Sequence, residues 1–225
     1  MDLARLRTDA RRWGWGRALY AFALRAARRR LGFRLCRVRI REMNPRPAPD
    51  LPPEFSVRVL SQQEVAAAAA DPELGMSPAF VAAALERGDI AVGAFHGTRL
   101  VAYAWRTFTA APHFDGLWVE VRPPYLYGYK GFTQAAYRGM RLNTAVSSCA
   151  DPIFIAQGYD RYVALVDADN LASIRAGAHK GTQWIGFAGH VKWFGRCFVF
   201  RSSSARRIGL RLLVGRSPPS FTALG

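Results

Sequence analysis

Residues 55–60 alternate apolar and polar side chains with a period of two, which predicts a strand. Residues 62–70 and 77–86 predict two short helices, the second opened by Ser77 as N-cap and Pro78 in the first turn. Two apolar runs, 90–95 and 100–108, are joined by His96-Gly97-Thr98-Arg99 and predict a hairpin. Strands are expected at 117–121 and 125–133, divided by Pro123-Pro124. Residues 141–157 set Leu142, Ala145, Val146 and Cys149 on one helical face, with a kink or restart expected at Pro152. Residues 162–166 are continuously apolar, as a strand buried on both faces must be. Asp169-Asn170 can cap a helix running to about Lys180, closed by Gly181. Residues 185–191 and 193–200 predict a closing hairpin. The resulting order, β-α-α-β-β-β-β-α-β-α-β-β, predicts an α/β (α+β) domain with a mixed, mostly antiparallel sheet flanked by helices.

Composition adds size and compartment. Half of the 225 residues are apolar, enough for a core and too many for a disordered chain. No run approaches the roughly 20 apolar residues that cross a bilayer, the best being 18–24, closed by Arg25. Cys36, Cys149 and Cys197 lack the spacing of a disulfide framework or a zinc site, so no metal is expected and a reducing, cytoplasmic compartment is.

Charge changes the picture more. The net charge is +16, and residues 1–42 carry +10 of it, as 13 arginines against Asp2, Asp9 and Glu42. Trp15, Leu19, Phe22 and Ala26 share a helical face within that stretch. Residues 1–43 are therefore expected to form a basic helical extension able to lie on an anionic membrane or to pack on its own domain. A proline-rich linker (44–54), the main domain (55–200) and a basic C-terminal tail (201–225) are expected to follow. Nothing in the arm matches a nucleic-acid-binding motif, and such a partner is not expected.

Two places can hold chemistry. Gly128 and Gly131 interrupt a strand, where a bulge or a close ligand is the usual reason for glycine. The turn Arg138-Gly139-Met140-Arg141-Leu142-Asn143 then leads into a helix, whose first amides attract phosphate. Further on, Asn170 and Ser173 stand one turn apart at another helix start, a spacing that also suits simple capping. Tyr125, Tyr127 and Tyr129 share one strand face and could line a pocket or pack in the core. His96, His113, His179 and His190 are expected to be structural or solvated.

From Arg138 to Gly181 this pattern resembles the GNAT superfamily of acyl-CoA-dependent N-acyltransferases, and the likeness extends over roughly 55–200. In that family a bulged strand precedes a diphosphate-binding turn, Q/R-x-x-G-x-G/A. A helix, a buried strand and a helix opened by N-x-x-A/S follow. Arg138 matches the Q/R, and Asn170, Ser173 and Gly181 fall at the later positions. Arg141 and Asn143 stand where the family has glycine or alanine, and Gly177 stands where it often has a tyrosine acid. The resemblance implies acetyl-CoA or another acyl-CoA as co-substrate and a small-molecule or protein amine as acceptor. It implies that the backbones of Phe132, Thr133 and Gln134 meet the pantetheine arm, and that residues 138–143 with Asn170 and Ser173 hold the rest of the cofactor. Glu120 is the nearest acidic residue for a general base. The departures leave a second reading, a degenerate member that binds acyl-CoA or acts as a scaffold without catalysis.

Overall fold

The computed structural model describes residues 3–44, 47–114, 116–178 and 182–215. Its helices are α1 (Leu3–Trp13), α2 (Trp15–Leu31), α3 (Gln62–Ala70), α4 (Pro78–Glu86), α5 (Leu142–Ile155), α6 (Leu171–Ala178) and α7 (Ser203–Arg207). Its strands are β1 (Arg34–Glu42), β2 (Phe55–Val59), β3 (Ile90–His96), β4 (Arg99–Thr107), β5 (Ala110–Phe114) and β6 (Leu117–Glu120). They continue with β7 (Tyr125–Thr133), β8 (Arg161–Asp167), β9 (Gln183–Trp193), β10 (Arg196–Arg201) and β11 (Arg211–Val214). Eight strands form the main sheet in the order β10-β9-β1-β8-β7-β4-β3-β2, and β11-β6-β5 form a smaller one. Among the described residues the pair β7–β8 is parallel and every other pair antiparallel. The fold is thus the mixed, mostly antiparallel sheet with flanking helices that the periodicities predict.

Each face of the sheet has its own core. On one side Val65, Val81 and Ala84 of α3 and α4 pack with Leu117, Val119, Tyr127 and Leu212, so the small sheet and the first helix pair share one layer. On the other, Leu142, Val146, Ala150 and Phe154 of α5 pack on Val92, Ala104 and Leu126. Burying each large side chain of that stripe stabilises the packing by about 1.5–3 kcal/mol. Ser61 closes a reciprocal capping box with Glu64 at the start of α3, and Ser77 caps α4 as expected.

The ends of the chain differ from expectation. Residues 34–42 are not part of a detachable arm: β1 lies inside the main sheet, bonded to β8 on one edge and β9 on the other. Cys36 and Val38 point into a core, while Arg37, Arg39 and Arg41 take the opposite face. The alternation is that of a strand, disguised because its second face is arginine. Only the hairpin of α1 and α2 lies outside the sheet, hinged at Gly14 (φ 84°) and sealed by Leu6, Ala10, Ala18 and Phe22. Part of the expected basic tail is likewise built into the fold: α7 and β11 return the chain to pair with β6. Residues 110–114, left without an element by the pattern, form an edge of the small sheet. Pro152 lies within α5, which runs through it unbroken. The proline sits in the last turn, where its missing N–H removes a single helical bond.

Candidate active site

The parallel pair determines the site. Tyr125, Leu126 and Tyr127 register with Arg161, Tyr162 and Val163, and beyond that point the two strands part. On its other edge β7 stays bonded to β4, with a register shift between the Tyr103 and Trp105 partners that leaves an extra residue at Lys130, held at φ 45°. That bulge turns β7 away from β8 and opens a cleft of about 700 Å³. The cleft passes through the sheet, lined on one side by Tyr127, Tyr129, His113 and Trp118 and on the other by Arg106, Arg39, Tyr162 and Asn143.

Gly128 lies at the vertex. A Cβ there would come within 1.9 Å of the Tyr162 ring, so glycine is required for the two strands to approach with that ring between them. Gly131 is less constrained: a Cβ would meet the Asn143 amide at 3.8 Å, an ordinary contact.

On the Tyr127 side every carboxylate has a partner. Tyr129 donates its hydroxyl to Asp89 at 2.5 Å, and Arg87 pairs with the same Asp89 oxygen at 2.7 Å. Asp167 accepts two bonds from Arg34, at 2.9 and 2.7 Å, and one from the Cys36 thiol at 3.4 Å. The His113 ring extends the Asp167 group to Tyr127, with Nδ1 2.7 Å from the Tyr127 hydroxyl and Nε2 3.6 Å from Cys36 Sγ. Burial drives the His113 pKa down to about 4, so the ring is neutral at pH 7. Burial, reinforced by Asp167, pushes the Cys36 thiol far above its ordinary range and keeps it protonated. For Asp167 burial acts upward, yet Arg34 and Arg28 outweigh it and hold the carboxyl ionised.

The opposite side carries unbalanced positive charge. Arg41 makes a bidentate pair with Asp151 of α5, at 2.6 and 2.8 Å, both buried. Arg106, 3% exposed, meets among the described residues the Trp105 carbonyl and the Tyr162 ring, whose centroid lies 4.5 Å from its guanidinium carbon. Arg39 is within hydrogen-bonding reach of the Tyr162 hydroxyl, while its Nε is buried with no hydrogen-bond partner among the described residues. Burial would raise the Tyr162 pKa, but Arg106, Arg39 and Arg41 together bring it below the ordinary tyrosine value.

Of the residues singled out by sequence, Tyr127, Tyr129, Asn143, Asn170 and Ser173 come together on the cleft. Asn170 also caps α6, accepting the Ser173 N–H at 3.1 Å, so both readings of that pair hold geometrically. Arg141 is the N-cap of α5 in the left-handed region (φ 57°), the conformation a glycine would adopt freely, and it begins the helix whose first turn carries Leu142 and Asn143. Arg138 bonds back to the Thr133 carbonyl, Gly139 turns at φ 95°, and Met140 is exposed; none of the three lines the cleft.

Three expectations are corrected. The β7 backbone on the cleft is 128–131 rather than Phe132, Thr133 and Gln134, because the bulge falls earlier and Gln134 N–H is bonded to Val101. Tyr125 lies below the vertex, its hydroxyl near Arg161. Glu120 belongs to the small sheet, buried and ion-paired with Arg211 at 3.0 Å, outside the cleft. His179 and Gly181 lie outside the described residues. Sequence reasoning missed Arg39, Arg106, Tyr162, His113 and Asp167. The available signal was the lone Arg106 in an otherwise apolar strand and the every-second-residue arginines of 37–41.

No protein-family model and no curated relative matches the chain. Solved structures do. A GCN5-related N-acetyltransferase from Sphaerobacter thermophilus aligns over 80% of this chain and 56% of its own, at TM-score 0.50 and 13% identity. A GCN5-related N-acetyltransferase from Kribbella flavida aligns over 79% and 61%, at TM-score 0.47 and 15% identity. A tandem GNAT protein of the clavulanic acid biosynthesis pathway aligns over 77% and 68%, at TM-score 0.48 and 18% identity. The chain thus spans little more than half the length of the first two. At this identity the likeness is one of fold.

Proposed function

With the GNAT fold as premise, we propose that the chain is an acyl-CoA-dependent N-acyltransferase, most simply an acetyltransferase, acting on an amine. The observation that carries this reading is the parting of β7 and β8 after three registered pairs, beside a bulge and ahead of the start of α5. A parted strand pair leaves backbone groups of 128–131 for an extended amide-bearing arm, and the first turn of α5 offers amides and partial positive charge to a diphosphate. Asn143, Asn170 and Ser173 would hold the remainder of the cofactor. Acyl-CoA, when bound, supplies a thioester. The amine nitrogen bonds to its carbonyl carbon, the carbon–sulfur bond breaks, and the amine proton departs while the thiolate is protonated. Both ring nitrogens of His113 are engaged, Nδ1 by the Tyr127 hydroxyl and Nε2 by Cys36 Sγ, and Glu120 lies outside the cleft, so neither is assigned as the base.

Calorimetric titration with acetyl-CoA and desulfo-CoA tests the reading. Micromolar binding weakened about tenfold by Asn170→Ala is expected, with thiol release against a panel of amines. Binding without thiol release would leave the scaffold reading in its place, and no binding of any CoA species would remove both.

The helical hairpin supports a second, separable expectation, contact with an anionic bilayer. Trp15, Leu19 and Tyr20 are exposed on α2 among arginines. The end of α2 meets Lys192 beside the β9–β10 tip, where Phe194 is 89% exposed and Trp193 also protrudes. No described helix is long and apolar enough to cross a membrane. Co-sedimentation with phosphatidylglycerol vesicles, lost at 0.5 M salt and reduced by Trp193→Ala with Phe194→Ala, is the expected result.

A further inference from the structure

A buried guanidinium is stable only with a partner, because leaving its charge uncompensated in a low-dielectric site costs several kcal/mol. The sheet face between α5 and α6 holds three arginines, Arg39, Arg41 and Arg106, around Tyr162. One carboxylate, Asp151, serves them, and Arg41 takes both of its oxygens. Among the described residues no carboxylate pairs with Arg39 or Arg106. Lys130 adds a further positive charge to the cleft lining, whose one described carboxylate, Asp167, is already held by Arg34. Two guanidiniums therefore face the same cavity from opposite edges, Arg106 from β4 and Arg39 from β1, with the Tyr162 hydroxyl between the strands that carry them.

We propose that Arg39, Arg106 and the Tyr162 hydroxyl form an oxyanion subsite on the floor of the cleft, taking a phosphate or carboxylate group of the bound ligand. The proposal rests on the acyl-CoA reading for the identity of that ligand, and on the arginines alone for the anion. Planar guanidiniums suit both oxyanions, by paired N–H···O bonds. The anion has two chemical sources: the diphosphate of the nucleotide thioester, or a terminal carboxylate on the acyl group. The first would make up for the side chains of Arg141 and Asn143 in place of bare glycine. The second would make the enzyme selective for dicarboxylic acyl groups. The lowered Tyr162 pKa reports the same excess positive field.

The test uses the full chain, with Arg39→Met as the main variant because Arg39 is only partly buried, and Tyr162→Phe as a shape-preserving second. Melting curves of both verify folding. Inorganic pyrophosphate, butyryl-CoA and succinyl-CoA are titrated by calorimetry. Pyrophosphate binding weakened at least tenfold by Arg39→Met is expected. If butyryl-CoA and succinyl-CoA lose the same factor, the occupant is the diphosphate. If wild type prefers succinyl-CoA at least tenfold and the variant erases that preference, it is the acyl carboxylate. Folded variants that bind all three probes as tightly as wild type would overturn the subsite while leaving the acyl-CoA reading intact. Arginine-dependent pyrophosphate binding without any CoA binding would keep the subsite and remove that reading.

Discussion

The two mouths of the cleft both carry arginine, aspartate and tyrosine and are balanced in opposite ways. On the Tyr127 side, Asp89 and Asp167 each have an arginine, Tyr129 donates to the first and the Cys36 thiol to the second, and His113 lies between Cys36 and Tyr127. On the Tyr162 side, three arginines face one carboxylate, Asp151, and Arg41 takes both of its oxygens. The first network is charge-balanced: each carboxylate has its arginine, hydrogen bonds fix the rings, and burial keeps His113 neutral. The second is open and acquires its missing charge from outside. Arginine, aspartate and tyrosine thus produce a positioning network on one face and an anion-seeking one on the other, and charge balance distinguishes them.

The sharpest way to break the contrast is Asp151→Ala, which removes the one counter-ion that the described residues offer on the open side and leaves Arg41 buried beside two other cations. A loss of about 3–5 kcal/mol in urea-melt stability is expected, the usual cost of breaking a buried pair. Gly128→Ala comes next, since a Cβ would overlap the Tyr162 ring. A destabilisation of about 1–3 kcal/mol is expected, together with loss of pyrophosphate binding as the ring is displaced.

The charge-balanced side is probed by pH. The folded His113 pKa is about 4 against about 6.5 unfolded, so the unfolded chain binds the proton first. Stability contributed by the neutral ring is complete above pH 6.5 and declines as pH falls toward 4, by at most about 1.4 kcal/mol per pH unit. His113→Gln should flatten that part of the stability profile; an unchanged slope would show that the ring is not held neutral. Smallest is Tyr127→Phe, which deletes one neutral hydrogen bond to His113 and should cost about 1 kcal/mol while leaving pyrophosphate binding unaltered.

The sequence was legible where period and chemistry agree. The alternation of 55–60, the glycines of 125–133, the cap at Ser77 and the apolar run of 162–166 each specify an element locally, while the residues from Arg138 to Gly181 carry the family resemblance. Asn170 and Ser173 could be singled out because a helix start is a local feature. β1 was not legible, because a strand whose outward face is arginine reads as a basic arm until β8 and β9 are seen on either side of it. Glu120 was misjudged for the mirror-image reason: its neighbour, Arg211, is 91 positions away and enters only when β11 returns to the small sheet.

From its own letters the chain determines the order of its helices and strands, the bulge-prone glycines and an overall surplus of arginine. Only the tertiary structure decides which arginines are neutralised, because pairing depends on which strands become neighbours. Arg41, Arg39 and Arg106 look alike in sequence; the register of β1 on β8 and the seating of α5 assign Asp151 to the first and leave the others facing a cavity.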